Sequence, residues 1–275
     1  MHIMDIVIAA TIVFYLLSSA AYLVFLFSQK KNLDRVALYL FITGFLCHLT
    51  SVGYDFARTG QIPVHNLYQT LSMSGLAVAS IFIAFQFKFK LKILGIFATP
   101  LAALIMLIAY QVPREPVQAK AIFNSFWFVV HIISIFIGEA ALTMACGVGI
   151  LYILQENSIK SKKRGFFYDR LPSLDMLDTT GYGSIVVGFI LLTLGLVTGF
   201  VYAKSAWGRF WSWDPKEVWA VATWLIYAAL FHQRLTVGWR GRRAALMAII
   251  GFVAILFTFI GVNFLLPGHH GQFTK

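Results

Sequence analysis

Residues 207–217, WGRFWSWDPKE, set Trp207, Phe210, Trp211 and Trp213 within seven positions before the chain turns into Asp-Pro-Lys-Glu. Rings at that density make a stacking wall for a flat, apolar ligand, and Lys204, Arg209 and Lys216 beside them suit a ligand that also carries carboxylates. A belt of aromatics at a membrane surface accounts for Trp127, Trp219 and Trp224 singly, but not for this crowding in one connection. Neutral imidazoles are the second chemical resource. The chain has seven histidines, and two of them on separate helices, level with the aromatic stretch, would clamp a metal porphyrin from both faces.

The elements that position these residues follow from composition. With 59% hydrophobic residues, 12% charged residues and a mean hydropathy of +0.79, the chain reads as a polytopic membrane protein of the all-α class. Eight apolar stretches are long enough to span, at about 4–27, 36–54, 67–87, 91–110, 126–154, 182–202, 218–235 and 244–266. They leave no length for a soluble domain, so residues 1–275 read as one integral-membrane domain with an external loop at 203–217. Asp214, Pro215 and Glu217 have the types and spacing of an N-cap, a first helical position and a capping box, which places a helix start at the end of the aromatic stretch. The stretch 155–180 reads as a cytoplasmic loop.

Fifteen of the 22 lysines and arginines fall in the connections on one side of these spans and seven on the other. Basic residues accumulate on the cytoplasmic side, so both termini and the aromatic loop are expected on the outer, periplasmic side. The same bias accounts for the net charge of +11 as an attraction to anionic membrane lipid, and argues against nucleic acid as a partner. Cys47 and Cys146 are isolated within spans, and no C-x-x-C-H occurs. A disulfide framework, a dithiol redox site and covalent attachment of the chain's own c-type haem are thereby set aside.

On this topology His131 lies about five residues inside the outer end of the fifth span, roughly 8 Å deep, and His269 and His270 follow the eighth span on the same side. His232 sits near the cytoplasmic end of the seventh span, close to Arg234. His48 lies inside the second span, not level with His232. Glu139, within the fifth span, needs a partner or a water-filled cavity.

The aromatic stretch resembles the tryptophan-rich WWD signature of the haem-handling proteins of cytochrome c assembly, and the chain most resembles the CcsA (ResC) branch. The likeness extends to GFLCHLTSVGYDFARTGQIPVHNLYQT at 44–70, with its P-x-x-N-L-Y connection, and to GVNFLLPGHH at 261–270. It implies that Trp207, Phe210, Trp211, Trp213 and Asp214 border bound haem b. It also implies that His131 and His270 are the outer axial ligands of the iron, with His269 an alternative to His270, and that His232 is an intramembrane ligand where haem is taken up. The chain departs from relatives at His65, which receives no role, and His48 has a family counterpart without an assigned one.

The function implied is transport of haem b from the cytoplasmic side to the outer WWD site and its presentation to apocytochrome c. The C-x-x-C-H thiols of the acceptor add to the haem vinyls there, and its histidine replaces one axial ligand. A CcsB (ResB)-type membrane partner is implied, so the chain would be one subunit of a cytochrome c synthase. The membrane expected is the bacterial cytoplasmic membrane, or a thylakoid membrane for a plastid-borne gene. The alternative is a membrane electron-transfer subunit that keeps a permanent b-type haem.

Overall fold

The computed structural model describes residues 3–114, 119–161 and 165–262, with the side chain of Ile260 excepted. Eight α-helices run through these residues: α1 (Ile3–Ser28), α2 (Leu33–Thr59), α3 (Leu67–Phe89), α4 (Gly95–Gln111), α5 (Phe126–Lys160), α6 (Leu174–Trp207), α7 (Pro215–Thr236) and α8 (Arg242–Leu256), the last continued by a π-helical turn at Phe257–Gly261. No strand occurs among them. Helix is what a chain this apolar must form, because a bilayer offers no partner for an unpaired backbone N–H or C=O.

All the expected helices except α7 are long and apolar enough to cross a membrane, α4 counted from Lys92 and α8 to Phe259. In α7 the first turn holds Lys216 and Glu217 and the last two turns hold His232, Gln233 and Arg234, which shortens its apolar middle. The stretch 155–180 differs from the sequence expectation, because it is helical at both ends. The fifth helix runs on to Lys160, and α6 starts at Leu174, where the Ser173 side chain accepts from the Met176 N–H. At 1.5 Å per residue α5 is about 52 Å long, well beyond a 30 Å hydrocarbon core, so its polar last turns need no lipid contact.

The chain divides into two compact units, residues 1–120 and 121–275. In the first, α1 packs on α2 and α4, and α3 on α4. Tyr15 stacks on Phe41 at 4.7 Å. A Cβ at Gly44 would lie 2.8 Å from the Tyr15 ring and one at Gly95 2.5 Å from Tyr22. Small residues therefore let these helices close on the two buried tyrosines. The third helix begins at Asn66, whose side chain accepts from the Gln69 N–H at 2.9 Å. This is the physical use of the asparagine in the P-x-x-N-L-Y connection.

In the second unit α5 and α6 run antiparallel in their tightest seam. Gly181, Gly188 and Gly195 recur every seven residues on α6 and so share one face. A Cβ there would meet Val148, Leu142 and Ile135 respectively, while Gly138 of α5 answers Gly188. The eighth helix closes on α5, where a Cβ at Gly149 would lie 3.0 Å from the Ala245 carbonyl oxygen. Around the seam Leu142, Ile185, Leu192, Tyr227, Leu230 and Ile255 form a shared core.

Candidate functional site

The aromatic loop begins where α6 stops. Gly208 takes a left-handed φ of 77° and returns its N–H to the Lys204 carbonyl, the usual way a glycine ends a helix. Lys204 Nζ donates back to the Gly208 carbonyl at 2.9 Å and lies 5.6 Å from the centre of the Phe210 ring. Trp207 meets Tyr202 edge to face, and the Tyr202 hydroxyl donates to the Ile122 carbonyl at 3.2 Å. The loop is thus tied to the chain segment that leads into α5.

Its far end is held by Glu217. One carboxylate oxygen accepts from the N–H of Ser212 at 2.8 Å and from that of Asp214 at 3.3 Å, and the other from the Ser212 hydroxyl at 2.9 Å. Asp214, only 4% exposed, accepts from the Lys216 N–H and completes the capping box expected from the sequence. Between the two held residues Trp213 stands at φ 58°, a left-handed conformation that costs a bulky side chain on the order of 1–3 kcal/mol. The result is an indole 77% exposed. Phe210 is 56% exposed, whereas Trp211 is half-buried against Phe200 and edge-on to Trp213.

His131 lies at the same end of the α5–α6 seam. Its Nδ1 is 2.7 Å from the Gly195 carbonyl oxygen, and a Cβ at Gly199 would sit 2.7 Å from that nitrogen. Phe200, the next residue after Gly199, is the one that Trp211 meets. The histidine and the loop therefore share one stretch of α6, about 12 Å along the helix from Gly199 to Trp207. Glu139 lies two turns further along α5, and Lys216 stands in the first turn of α7.

His232 lies at the opposite end of α7, about 27 Å along the axis from Asp214, on the exposed face of the helix. Two residues on, Arg234 makes a two-pronged pair with Asp178 of α6 at 2.9 and 2.6 Å and donates to the Trp239 carbonyl. Asp178 also accepts from the Gly241 N–H at 2.8 Å. This network fastens the ends of α6 and α7 to the connection into α8. Nothing in the sequence pairs Asp178 with Arg234, 56 residues apart.

His48 is fully buried, with its Nδ1 3.2 Å from the Tyr15 hydroxyl and its Nε2 3.0 Å from Ser72 Oγ. Both ring nitrogens are engaged, and the residue joins α1, α2 and α3. His65, in the connection before α3, gives its backbone N–H to the Gln69 side chain. Burial, and then the Lys120 charge, hold its imidazole below the usual histidine pKa. His269 and His270 lie outside the described residues. Among the described residues no three histidines, cysteines or carboxylates cluster as a metal site; haem iron asks for a single side chain on each face.

A helical membrane protein with an aromatic loop beside a seated histidine defines the class. The chain belongs to the cytochrome C assembly protein family, which matches residues 64–270. It is 34% identical over 265 residues to the cytochrome c biogenesis protein CcsA of Prochlorococcus marinus strain MIT 9301, covering 88% of this chain and 85% of that one. It is also 34% identical over 220 residues to CcsA of Chlamydomonas reinhardtii, covering 78% of this chain and 61% of the relative. Among solved structures the fold is similar to that of the cytochrome c haem lyase CcmF, with a TM-score of 0.70 and 15% identity. That likeness covers 98% of this chain and 48% of CcmF, so the chain spans about half the length of that protein.

Proposed function

We propose that the chain carries haem b from the cytoplasmic side of its membrane to an outer site under the 203–217 loop and presents it there to apocytochrome c. His232 receives the haem. His131 and His270, or His269 in its place, hold the iron at the outer site, while Phe210, Trp211 and Trp213 cover the macrocycle. Two imidazoles fill both axial positions and restrict oxygen chemistry. Each acceptor thiol then adds across a vinyl double bond: sulfur bonds to one carbon, its hydrogen goes to the other, and the acceptor's histidine takes over one axial position. The catalytic contribution is positioning, since two thiols must meet two vinyls in register. A CcsB-type membrane protein completes the synthase.

The observation that carries this reading is the shared stretch of α6 on which His131 is seated and against which Trp211 leans. Relatives named for cytochrome c biogenesis, from a cyanobacterium and a green alga, agree with it and with either a bacterial cytoplasmic or a thylakoid membrane. A permanent b-type haem in the first unit would have to break both hydrogen bonds of His48.

The test is maturation of a reporter cytochrome c with and without the chain, co-expressed with a CcsB-type partner, alongside spectra of the purified protein. Haem present below one equivalent and lost from the His131→Ala/His270→Ala double variant is the expected result. Full retention of haem with an unaltered spectrum removes both residues as ligands. Stoichiometric haem that cycles reversibly, without effect on maturation, points to electron transfer instead.

A further inference from the structure

The hydrogen bond from His131 to α6 decides which of its nitrogens carries the proton. A carbonyl oxygen only accepts, so the 2.7 Å contact between Nδ1 and the Gly195 oxygen requires the proton on Nδ1. In the neutral ring Nε2 then carries the lone pair. The carbonyl has two lone pairs; Thr198 Oγ1 also approaches it, at 3.1 Å, while donating more closely to the Leu194 carbonyl at 2.7 Å.

The ring rests on bare backbone. A Cβ at Gly199 would lie 2.7 Å from Nδ1 and 2.8 Å from Cε1, and one at Gly195 would lie 2.6 Å from Ile135, the next residue of α5 on that face. Any side chain at 199 would push the imidazole away from the carbonyl that orients it.

We infer that Gly195 and Gly199 are positioning residues for metal ligation by His131: the Gly195 carbonyl fixes the Nδ1–H tautomer, and Gly199 supplies the seat that aims Nε2 at the iron. This rests on the reading of His131 as an axial ligand. It assigns to the backbone of α6 the task that a carboxylate or carbonyl behind a metal-bound histidine commonly performs, fixing the ring and raising the basicity of the ligating nitrogen.

Two measurements on the full-length chain in membranes test it. The first is nitrogen NMR of haem-free protein labelled at histidine, with His131→Asn for assignment. A protonated Nδ1 and an unprotonated Nε2 at His131 are expected, and the reverse tautomer overturns the inference whatever the haem does. The second is haem retention in Gly199→Ala, expected to fall about ten-fold or more, and in His131→Gly supplied with imidazole, with and without Gly199→Ala. Free imidazole chooses its own pose, so Gly199→Ala should lose most of its effect in that background. An equal loss in both backgrounds makes Gly199 a packing residue only and overturns its positioning role. Unaltered haem in His131→Gly without imidazole overturns the ligand reading itself, and is distinguished from failure of the tautomer by the NMR.

Discussion

Glu217 reaches back past Trp213 to grip Ser212 twice, at the backbone N–H and at the hydroxyl, 2.8 and 2.9 Å away. The N3 member of the α7 capping box thus also holds the indole beside it in a conformation it would not adopt alone. Glu217→Ala leaves two backbone N–H groups without their acceptor, at a cost of about 1–3 kcal/mol. Glu217→Gln keeps one oxygen to receive them. Loop proteolysis and haem retention should therefore be altered strongly in the alanine variant and mildly in the glutamine variant. Equal behaviour of the two would sink the clamp.

The two neighbouring tryptophans should respond differently. Trp211 is packed against Phe200, so Trp211→Ala should lower thermal stability by roughly 2 kcal/mol as well as haem retention. Trp213 is exposed and strained, so Trp213→Gly should leave stability unchanged or slightly raised, within about 1 kcal/mol, while haem retention falls. Normal membrane insertion with undiminished haem in both variants would return these rings to the role of an interfacial belt.

At the other end of the unit, Asp178 and Arg234 are partly buried, at 15% and 12% side-chain exposure. Removing one partner of such a pair costs up to about 3–5 kcal/mol, because the other charge is stranded. Asp178→Ala should destabilise the chain and lower haem uptake through displacement of the His232 turn, and the double change Asp178→Asn/Arg234→Gln should be milder. Thermal unfolding in detergent and haem loading of the two variants provide the check; a double variant worse than the single one contradicts the pairing.

His65 sets a pH dependence in the first unit. Its folded-state pKa lies below the unfolded value of about 6.5, so the unfolded chain binds the proton more readily. The stabilising contribution is present above about pH 6.5 and is lost as pH falls from there through the folded pKa. Wild type should lose more stability than His65→Gln between about pH 7.5 and about pH 5.5. Parallel curves for the two proteins would assign the dependence elsewhere.

Helices were legible in the sequence because hydropathy over 20 residues is a one-dimensional property. The polar ends of α5 and α6 escaped that ruler, since helices outside the hydrocarbon carry no apolar requirement. Asp214, Pro215 and Glu217 announced their cap through local spacing, but the hold on Ser212 and the left-handed Trp213 did not follow, because tryptophan carries no preference for positive φ. That His131 fills the space above Gly199 was not legible either, because it depends on which helix lies opposite. For the same reason His48 could not be separated from the ligand candidates until Tyr15 and Ser72, 33 and 24 residues away, were found at its two nitrogens.

The wall behind His131 has a mechanical consequence. Side chains accommodate disturbance by changing rotamer, and the residues facing the ring at 195 and 199 have none to change. The height and tilt of that wall are inherited from the pitch of one helix, so a shift of lipid, detergent or temperature that repacks the surrounding side chains leaves the surface behind the ring as it was. Moving that surface means moving the backbone of α6.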